Sequence, residues 1–172
     1  MRRTMVALVA VAGLACASPA IGATTLLRLD GIGPLKLGMT RTAAVQTGWL
    51  ASRHTGCPLG GPPLPIGYRL TGPNAPPGTS GNAEFDQGRL RVLSFTRGVR
   101  TAAGVVVGRT TTSQMVADYR RAGFVATAQF DSTFQGTFVN VRRRGHSASV
   151  IGGFATHTKI TTLAIPAVAV CE

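Results

Sequence analysis

The stretch that decides the fold spans residues 31–45 and reads Gly-Ile-Gly-Pro-Leu-Lys-Leu-Gly-Met-Thr-Arg-Thr-Ala-Ala-Val. A less similar copy of this stretch lies at residues 103–115, which read Ala-Gly-Val-Val-Val-Gly-Arg-Thr-Thr-Thr-Ser-Gln-Met. Residues of similar type recur at a constant offset of 70 positions: Leu35 with Val105, Leu37 with Val107, Gly38 with Gly108, Thr40 with Thr110, Val45 with Met115 and Trp49 with Tyr119. The same offset relates Arg89 and Leu90 to Lys159 and Ile160, and Leu93 to Leu163. We therefore predict an internal repeat of two similar units.

Each copy is expected to turn at its glycine and then to begin a helix. Gly38 and Gly108 permit the tight turn, and the hydroxyls of Thr40 and Thr110 are placed to accept a free N–H of the first helical turn. Gly48 ends the first helix. These matched glycines and threonines are predicted to be structural.

The second helix carries its own signals. Thr111 and Gln114 form a capping-box pattern, in which each side chain satisfies a backbone N–H of the first turn. Met115, Tyr119 and Ala122 then fall on one helical face, which predicts that this face is buried.

Short strands are expected to fill most of the remaining chain. A hairpin is predicted over residues 83–95 with its turn at Gln87-Gly88, and further strands at 124–130, 136–142, 147–154 and 159–165. Proline and glycine crowd residues 57–81, which are predicted to be a long irregular loop. The predicted fold class is α+β, with a first unit at 24–100 and a second at 101–172. Each unit is a short helix packed on an antiparallel sheet, and the two sheets can join into one.

The amino terminus has the pattern of an export signal. Met1-Arg2-Arg3 is followed by an apolar run over residues 5–17 and then by small residues, so residues 1–23 are interpreted as a signal peptide cleaved near Ala20 or Ala23. An uncleaved anchor and lipidation at Cys16 are the alternatives. Ordinary cleavage predicts a secreted or cell-envelope-associated protein with no transmembrane helix in its mature chain.

Two cysteines follow the predicted signal, Cys57 and Cys171. In an oxidising compartment an even pair is most often a disulfide, which we predict here. A catalytic Cys57 is the alternative, and no histidine or asparagine motif marks a partner for it.

The chain is strongly basic, with a formal net charge of +12. Cleavage of the predicted signal peptide would remove two of these positive charges, Arg2 and Arg3. The densest charge lies at Arg142, Arg143 and Arg144, and Arg120 and Arg121 can extend it into an anion-binding surface. A solvated rim in an arginine-rich, GC-biased sequence is the other interpretation. Nucleic-acid binding is not expected, because no aromatic residues suited to stacking interleave with these arginines.

The motifs of enzymes and cofactor sites are missing from the sequence. The three histidines are too scattered for a metal motif. The carboxylates lie in separate elements, so a paired acid and base is not expected. The glycines before Lys36 lack the third glycine and the βαβ context of a dinucleotide loop. We expect no enzymatic activity, cofactor or metal; an enzyme using Ser80 or a histidine is the alternative.

The phrase Leu37-Gly38-Met39-Thr40, followed by a short helix, a loop and antiparallel strands, resembles the small module of SmpA/BamE-type outer-membrane assembly lipoproteins. Its tandem duplication is similar to the beta-lactamase inhibitory proteins of soil actinobacteria, which pair two such units into one concave sheet. The second copy departs from the pattern, with Arg109 where methionine would stand, and the inhibitors carry more disulfides. The resemblance implies a non-catalytic module that binds an extracellular or envelope protein. Electrostatic association with anionic wall polymer or lipid headgroups is the alternative.

Overall fold

The computed structural model describes residues 24–56 and 66–169. The predicted signal peptide and both predicted disulfide partners, Cys57 and Cys171, lie outside the described residues. The predicted α+β class is confirmed, since two helices accompany a structure made mostly of strands.

Within the described residues, the first half of the chain contains one helix and eight strands. Their bounds are β1 Thr25–Arg28, β2 Gly31–Ile32, β3 Leu35–Lys36, α1 Arg41–Gln46, β4 Ala51–Thr55, β5 Ile66–Arg69, β6 Ser80–Asp86, β7 Arg89–Arg97 and β8 Val99–Thr101. The second half contains α2 Thr112–Arg121, β9 Val125–Asp131, β10 Gly136–Arg142, β11 Ser149–Ala155 and β12 Thr162–Ile165. The predicted hairpin at 83–95 and the strand at 136–142 are thereby confirmed.

The strands form two sheets. A four-stranded sheet has the order β3-β2-β1-β8, in which β1 is antiparallel to β2 and parallel to β8. An antiparallel sheet of eight strands has the order β4-β5-β6-β7-β12-β11-β10-β9, so it extends through both halves of the chain. At its centre β7 pairs with β12, joining Leu93 to Ile165, Ser94 to Ala164 and Phe95 to Leu163.

Two adjacent glycines identify the two faces of the large sheet. A Cβ added to Gly153 would lie 2.7 Å from Met115 Sδ of α2, whereas one added to Gly152 would lie 2.7 Å from the backbone nitrogen of Val168. Successive residues of a strand point to opposite faces, so α2 packs on the face of Gly153. We call this the covered face and the opposite one the open face.

The covered face contains the hydrophobic core. Side chains from the large sheet, both helices and the small sheet join in one buried cluster, which includes Leu27, Ala44, Phe95, Met115 and Ile151. Burying each of the larger side chains among these stabilises the fold by about 1.5–3 kcal/mol. The hydrophobic core therefore lies on one side of the large sheet only.

The first helix begins as predicted, and the second begins at the predicted capping box and not at Thr110. Thr40 caps α1, its Oγ1 accepting a hydrogen bond from the N–H of Ala43. Thr111 caps α2 through the predicted capping box with Gln114. The prediction that Thr110 caps a helix is wrong, because its Oγ1 accepts a hydrogen bond from Val106 N at 2.9 Å instead.

Backbone hydrogen bonds show where the constant offset of 70 positions breaks down. Gly38 N donates to Leu90 O and Gly108 N donates to Ile160 O, both at 2.7 Å and 70 positions apart. Just beyond, Arg41 N donates to Gly88 O at 2.8 Å and Thr112 N donates to Thr158 O at 2.9 Å. The donors of this second pair are 71 positions apart in the sequence, so the turn after Gly108 is one residue longer than the turn after Gly38.

Because the second turn is longer, the predicted matches within the two helices do not hold. Met115 and Ala44, which lie 71 positions apart, are both buried, while Val45, the predicted match of Met115, is 38% exposed. Ala122 is the C-cap of α2 and is exposed, so its predicted burial is wrong.

The predicted loop at 57–81 contains a strand. Residues 66–69 form β5 between β4 and β6 because Ile66 and Tyr68 share one face, where the Tyr68 ring packs edge-on against Phe85 with centroids 5.7 Å apart. Gly67 fits in the strand because a Cβ there would meet the His54 ring. The predicted boundary between the units, after residue 100, falls inside β8.

Candidate functional site

The arginines of the predicted anion site lie at one end of the second half. Arg142 ends β10 and pairs with Val125, the first residue of β9, while Arg143 and Arg144 follow in the next turn. Arg120 and Arg121 end α2 just before β9. All five side chains belong to exposed residues.

Two of these arginines already have partners. Arg121 forms an ion pair with Asp118 at 2.9 Å, and Arg120 Nε donates a hydrogen bond to Ala126 O at 3.0 Å. Arg142, Arg143 and Arg144 form no ion pair with any residue that the structure describes. The structure thus brings the five residues to one region, and they line none of the three cavities described below.

The other sequence candidates stay apart. Within residues 24–56 and 66–169, no three histidine, cysteine or acidic residues come together as a metal site. Ser80 opens β6 opposite Arg97, and no hydrogen bond links it to a histidine in the described part of the chain. The described helices are all too short or too polar to span a membrane.

The open face carries a cluster of three phenylalanines that sequence analysis missed. Phe138 of β10 pairs with Phe154 of β11, and their ring centroids lie 4.7 Å apart. Phe134, from the turn before β10, meets Phe138 edge-on at 5.9 Å. All three residues are half-buried. Large rings are thus left partly exposed on the face that neither α1 nor α2 covers.

The local sequence explains how the cluster is held. Asp131 Oδ1 accepts hydrogen bonds from Thr133 N at 2.8 Å and Phe134 N at 3.3 Å, which fixes the turn that carries Phe134. Gly136 lies beneath the Phe154 ring, where a Cβ would collide with the ring. The turn and the glycine together position the rings of Phe134 and Phe154.

Two cavities flank this cluster, and we call the pair the aromatic groove. The first has a volume of about 300 Å³ and reaches toward the centre of the sheet. It is lined by Asn82, Glu84, Ser94, Thr96, Phe134, Phe138, Phe154, Thr162, Val168 and Ala169. The second, also about 300 Å³, is lined by Gln129, Asp131, Phe134, Phe138, Asn140 and Val168. Phe134, Phe138 and Val168 form the wall between them.

The carboxy-terminal segment borders the groove. A Cβ on Gly152 would lie 2.7 Å from Val168 N and 3.1 Å from Ala167 Cα, so this backbone passes directly over the strand. Only glycine allows so close an approach without displacing the segment. The segment therefore covers Gly152 and leaves the phenylalanines beside it accessible.

A smaller apolar cavity of about 180 Å³ lies on the other side of the molecule. It is bordered by β1, the start of the turn after β8, and the end of α2, with Tyr119 and Thr101 among its lining residues. Burial raises the pKa of the Tyr119 hydroxyl to about 12, partly offset by its hydrogen bond with Thr101. Tyr119 is therefore a neutral hydroxyl of the core at physiological pH.

A simple signal could have located the phenylalanine cluster. In β10, Val139 and Val141 are buried, while Phe138, Asn140 and Arg142 alternate with them and face the other way. A phenylalanine on the polar side of an alternating strand is unusual for a face that only meets water.

No family model matches the chain, and neither a curated protein nor a solved structure shows significant similarity to it.

Proposed function

We propose that this protein is an exported, non-enzymatic module that binds an extracellular or envelope protein through the open face of its large sheet. One observation carries the proposal: the core is confined to the covered face, while the open face holds three half-buried phenylalanines beside two cavities. Partly exposed aromatic rings among polar side chains are typical of protein-binding surfaces.

We further infer that the chain is a duplication of one helix-plus-sheet unit, as in the beta-lactamase inhibitory proteins that it resembles. The central pairs support this inference, because Leu93 pairs with Ile165 and Phe95 pairs with Leu163. Adding 70 to the first residue of either pair gives the second residue of the other. The equal hydrogen bonds of Gly38 and Gly108 support it independently. On this view, the binding surface spans the two units.

The test compares proteins retained by the immobilised mature chain and by two variants. Phe138→Ser removes the central ring of the open face. Phe130→Ser is the matched control, because Phe130 is 61% exposed on the edge strand β9 and points to the opposite face. We expect Phe138→Ser to lower retention of a specific envelope or culture-supernatant protein at least tenfold, in line with loss of a binding hot spot. Phe130→Ser should retain it.

A second open-face variant shows whether a loss of binding by Phe138→Ser results from misfolding alone. Thr162→Arg adds bulk to the open face without removing a core side chain, since Thr162 lines the groove and pairs with Phe154. Equal retention by the wild type, Phe138→Ser and Thr162→Arg would show that the open face is not the binding surface. Turnover of a substrate by the purified protein would contradict the non-enzymatic assignment.

Electrostatic association with anionic wall polymer or lipid headgroups is the second candidate function. It is favoured by the position of Arg142, Arg143 and Arg144, which are exposed next to the end of α2. Such binding should weaken steeply as salt is raised, because exposed charges are screened. Replacing the three arginines with glutamine should remove it, whereas retention independent of salt would refute it.

A further inference from the structure

We propose that the aromatic groove receives a cationic side chain, arginine or lysine, from an apolar segment of the partner protein. This inference rests on the proposed function and specifies the chemistry of the same surface. It is the reverse of what the overall charge suggests, since a chain of net charge +12 would be expected to seek anions.

The charged side chains among the described lining residues of the groove are opposite in sign to the net charge of the chain. Glu84 lines the first cavity and Asp131 lines the second, and among the residues that the structure describes no lysine or arginine lines either. The sequence contains only 6 acidic residues against 18 basic ones. One carboxylate therefore stands on each side of the wall formed by Phe134 and Phe138.

Pairing across the strands places Glu84 on the open face. Phe154 and Thr162 pair with each other, Gly152 pairs with Ala164, and Ala164 pairs with Ser94. Ser94 pairs in turn with Asn82, two residues before Glu84 in β6. Residues that pair directly share a face, and so do residues two apart in a strand. The carboxylate and the rings therefore belong to one surface.

The second carboxylate is held in place by its turn. Asp131 Oδ1 accepts the N–H groups of Thr133 and Phe134, so the side chain is fixed beside the Phe134 ring. A fixed carboxylate loses less conformational freedom when it pairs with an incoming charge than a mobile one does.

Phenylalanine rings and carboxylates recognise the same kind of group. The face of an aromatic ring carries partial negative charge and attracts a cation within about 6 Å of its centre. The long stems of lysine and arginine pack along apolar surface while their charged ends reach polar partners. A cation on an apolar stem fits the phenylalanine wall and the carboxylates together, whereas an anion would be repelled by both.

Two basic residues of the open face, Arg69 and Arg142, are not among the residues that line the groove. Arg69 pairs with Asn82 from the next strand outward, and Arg142 lies two residues beyond Asn140 in β10. An anionic polymer attracted to Arg142–Arg144 would therefore occupy a different surface from the cationic side chain. The two modes of binding can be separated by experiment.

The probes are two peptides, acetyl-Ala-Leu-Arg-Leu-Ala-amide and its counterpart with glutamate in place of arginine, titrated into the isotope-labelled mature protein and followed by NMR. We expect the arginine peptide to shift the amide signals of Asn140, Phe154 and Thr162, and to bind about tenfold more tightly than the glutamate peptide. Equal binding of the two peptides, shifts confined to residues 142–144, or no shifts up to about 5 mM peptide would overturn the inference.

Charge variants complete the test. Glu84→Gln combined with Asp131→Asn removes both charges while keeping acceptors in place, and should abolish the preference for arginine. Asp118→Asn is the matched control, because Asp118 lies in α2 and forms an ion pair with Arg121. This change should leave the preference for the arginine peptide unaltered. If the natural partner is lost with Phe138→Ser but kept by the charge variants, this inference fails and the proposed function stands. If Phe138→Ser keeps the partner, the proposed function itself fails.

Discussion

Ser94 and Ala164 pair with each other at the centre of the eight-stranded sheet, although they lie 70 positions apart in the chain. On either side lie the pairs Leu93–Ile165 and Phe95–Leu163, and adding 70 to the β7 residue of one pair gives the β12 residue of the other. A local two-fold axis between β7 and β12 would produce this register. Asn82 pairs with Ser94 in the first half, and Gly152 pairs with Ala164 in the second, again with an offset of 70. The relationship between the halves therefore extends beyond the central strands.

The proposed duplication predicts equal energetic roles for Leu93 and Leu163, which are both fully buried. Replacing either with alanine should lower the free energy of unfolding by about 2–5 kcal/mol, through lost transfer energy and the cavity that remains. We expect the two values to agree within about 1 kcal/mol, well inside that range, as measured by urea denaturation. Val92→Ala, on the open face, is the control and should cost less. A large difference between Leu93 and Leu163 would argue against equivalent environments.

Helix capping supplies a second prediction. Thr40→Ala and Thr111→Ala should each destabilise the protein by about 1 kcal/mol, because a first-turn N–H loses its acceptor. Thr42→Ala is the matched control: Thr42 is exposed inside α1, where alanine is the better helix former, so this change should be neutral or slightly stabilising. Thermal unfolding measures all three. Destabilisation by Thr42→Ala as large as that by Thr40→Ala would show that capping is not the cause.

Much of the architecture could be predicted from local sequence, because turns, caps and alternating strands leave clear patterns. The match of Gly38 with Gly108 is an example, since both donate the same backbone hydrogen bond. The predictions made from the constant offset of 70 are wrong just after Gly108. The turn there is one residue longer, and the length of a turn does not change the hydrophobic periodicity of the strands and helices around it. The offset assigned the cap to Thr110, although the capping box already pointed to Thr111.

The candidate site was harder to predict than the fold. Phe134, Phe138 and Phe154 come from a turn and two strands, and only the register of β10 against β11 brings the last two together. Strand β5 was missed because Pro and Gly dominate its surroundings, whereas Ile66 and Tyr68 are held by pairing with β4 and β6. Long-range pairing, which a single sequence does not display, determines both features.

Alkaline pH should destabilise the fold through Tyr119. Its folded-state pKa of about 12 lies above the ordinary value of 10, so its contribution is complete below pH 10 and is lost as pH rises toward 12. In that window the unfolded chain releases the proton first, and stability should fall by about 1.4 kcal/mol per pH unit. Urea denaturation of the wild type and of Tyr119→Phe between pH 9 and about 12 measures the difference. Parallel curves for the two proteins would contradict the assignment.

A disulfide between Cys57 and Cys171 would close a long loop and constrain the unfolded chain. Cys57→Ser should therefore lower the free energy of unfolding by about 4–5 kcal/mol on the chain-entropy model. Cys171→Ser should cost the same, and the double variant should cost no more, because all three remove a single bond. Iodoacetamide should label neither cysteine in the native, unreduced protein. Labelling of Cys57 would exclude the bond.

Gly152 and Gly153 offer a paired test of the two faces of the sheet. A Cβ at Gly152 would meet the backbone of Val168 at 2.7 Å, and backbone can yield only if the carboxy-terminal segment moves. A Cβ at Gly153 would meet Met115 Sδ at the same distance, where the end of a flexible side chain can shift. Gly153→Ala should therefore cost about 1–3 kcal/mol of stability through overpacking and leave the segment in place.

Gly152→Ala should instead release residues 166–169 from the open face with a smaller loss of stability, because the displaced segment lies outside the core. The heteronuclear NOE of the Val168 amide measures this: we expect it to fall in Gly152→Ala and to keep its wild-type value in Gly153→Ala. Since Val168 forms part of the wall between the two cavities, binding of the arginine peptide should also change in Gly152→Ala. An unchanged NOE in Gly152→Ala would mean that the segment does not rest on Gly152, and that the groove lacks this wall in solution.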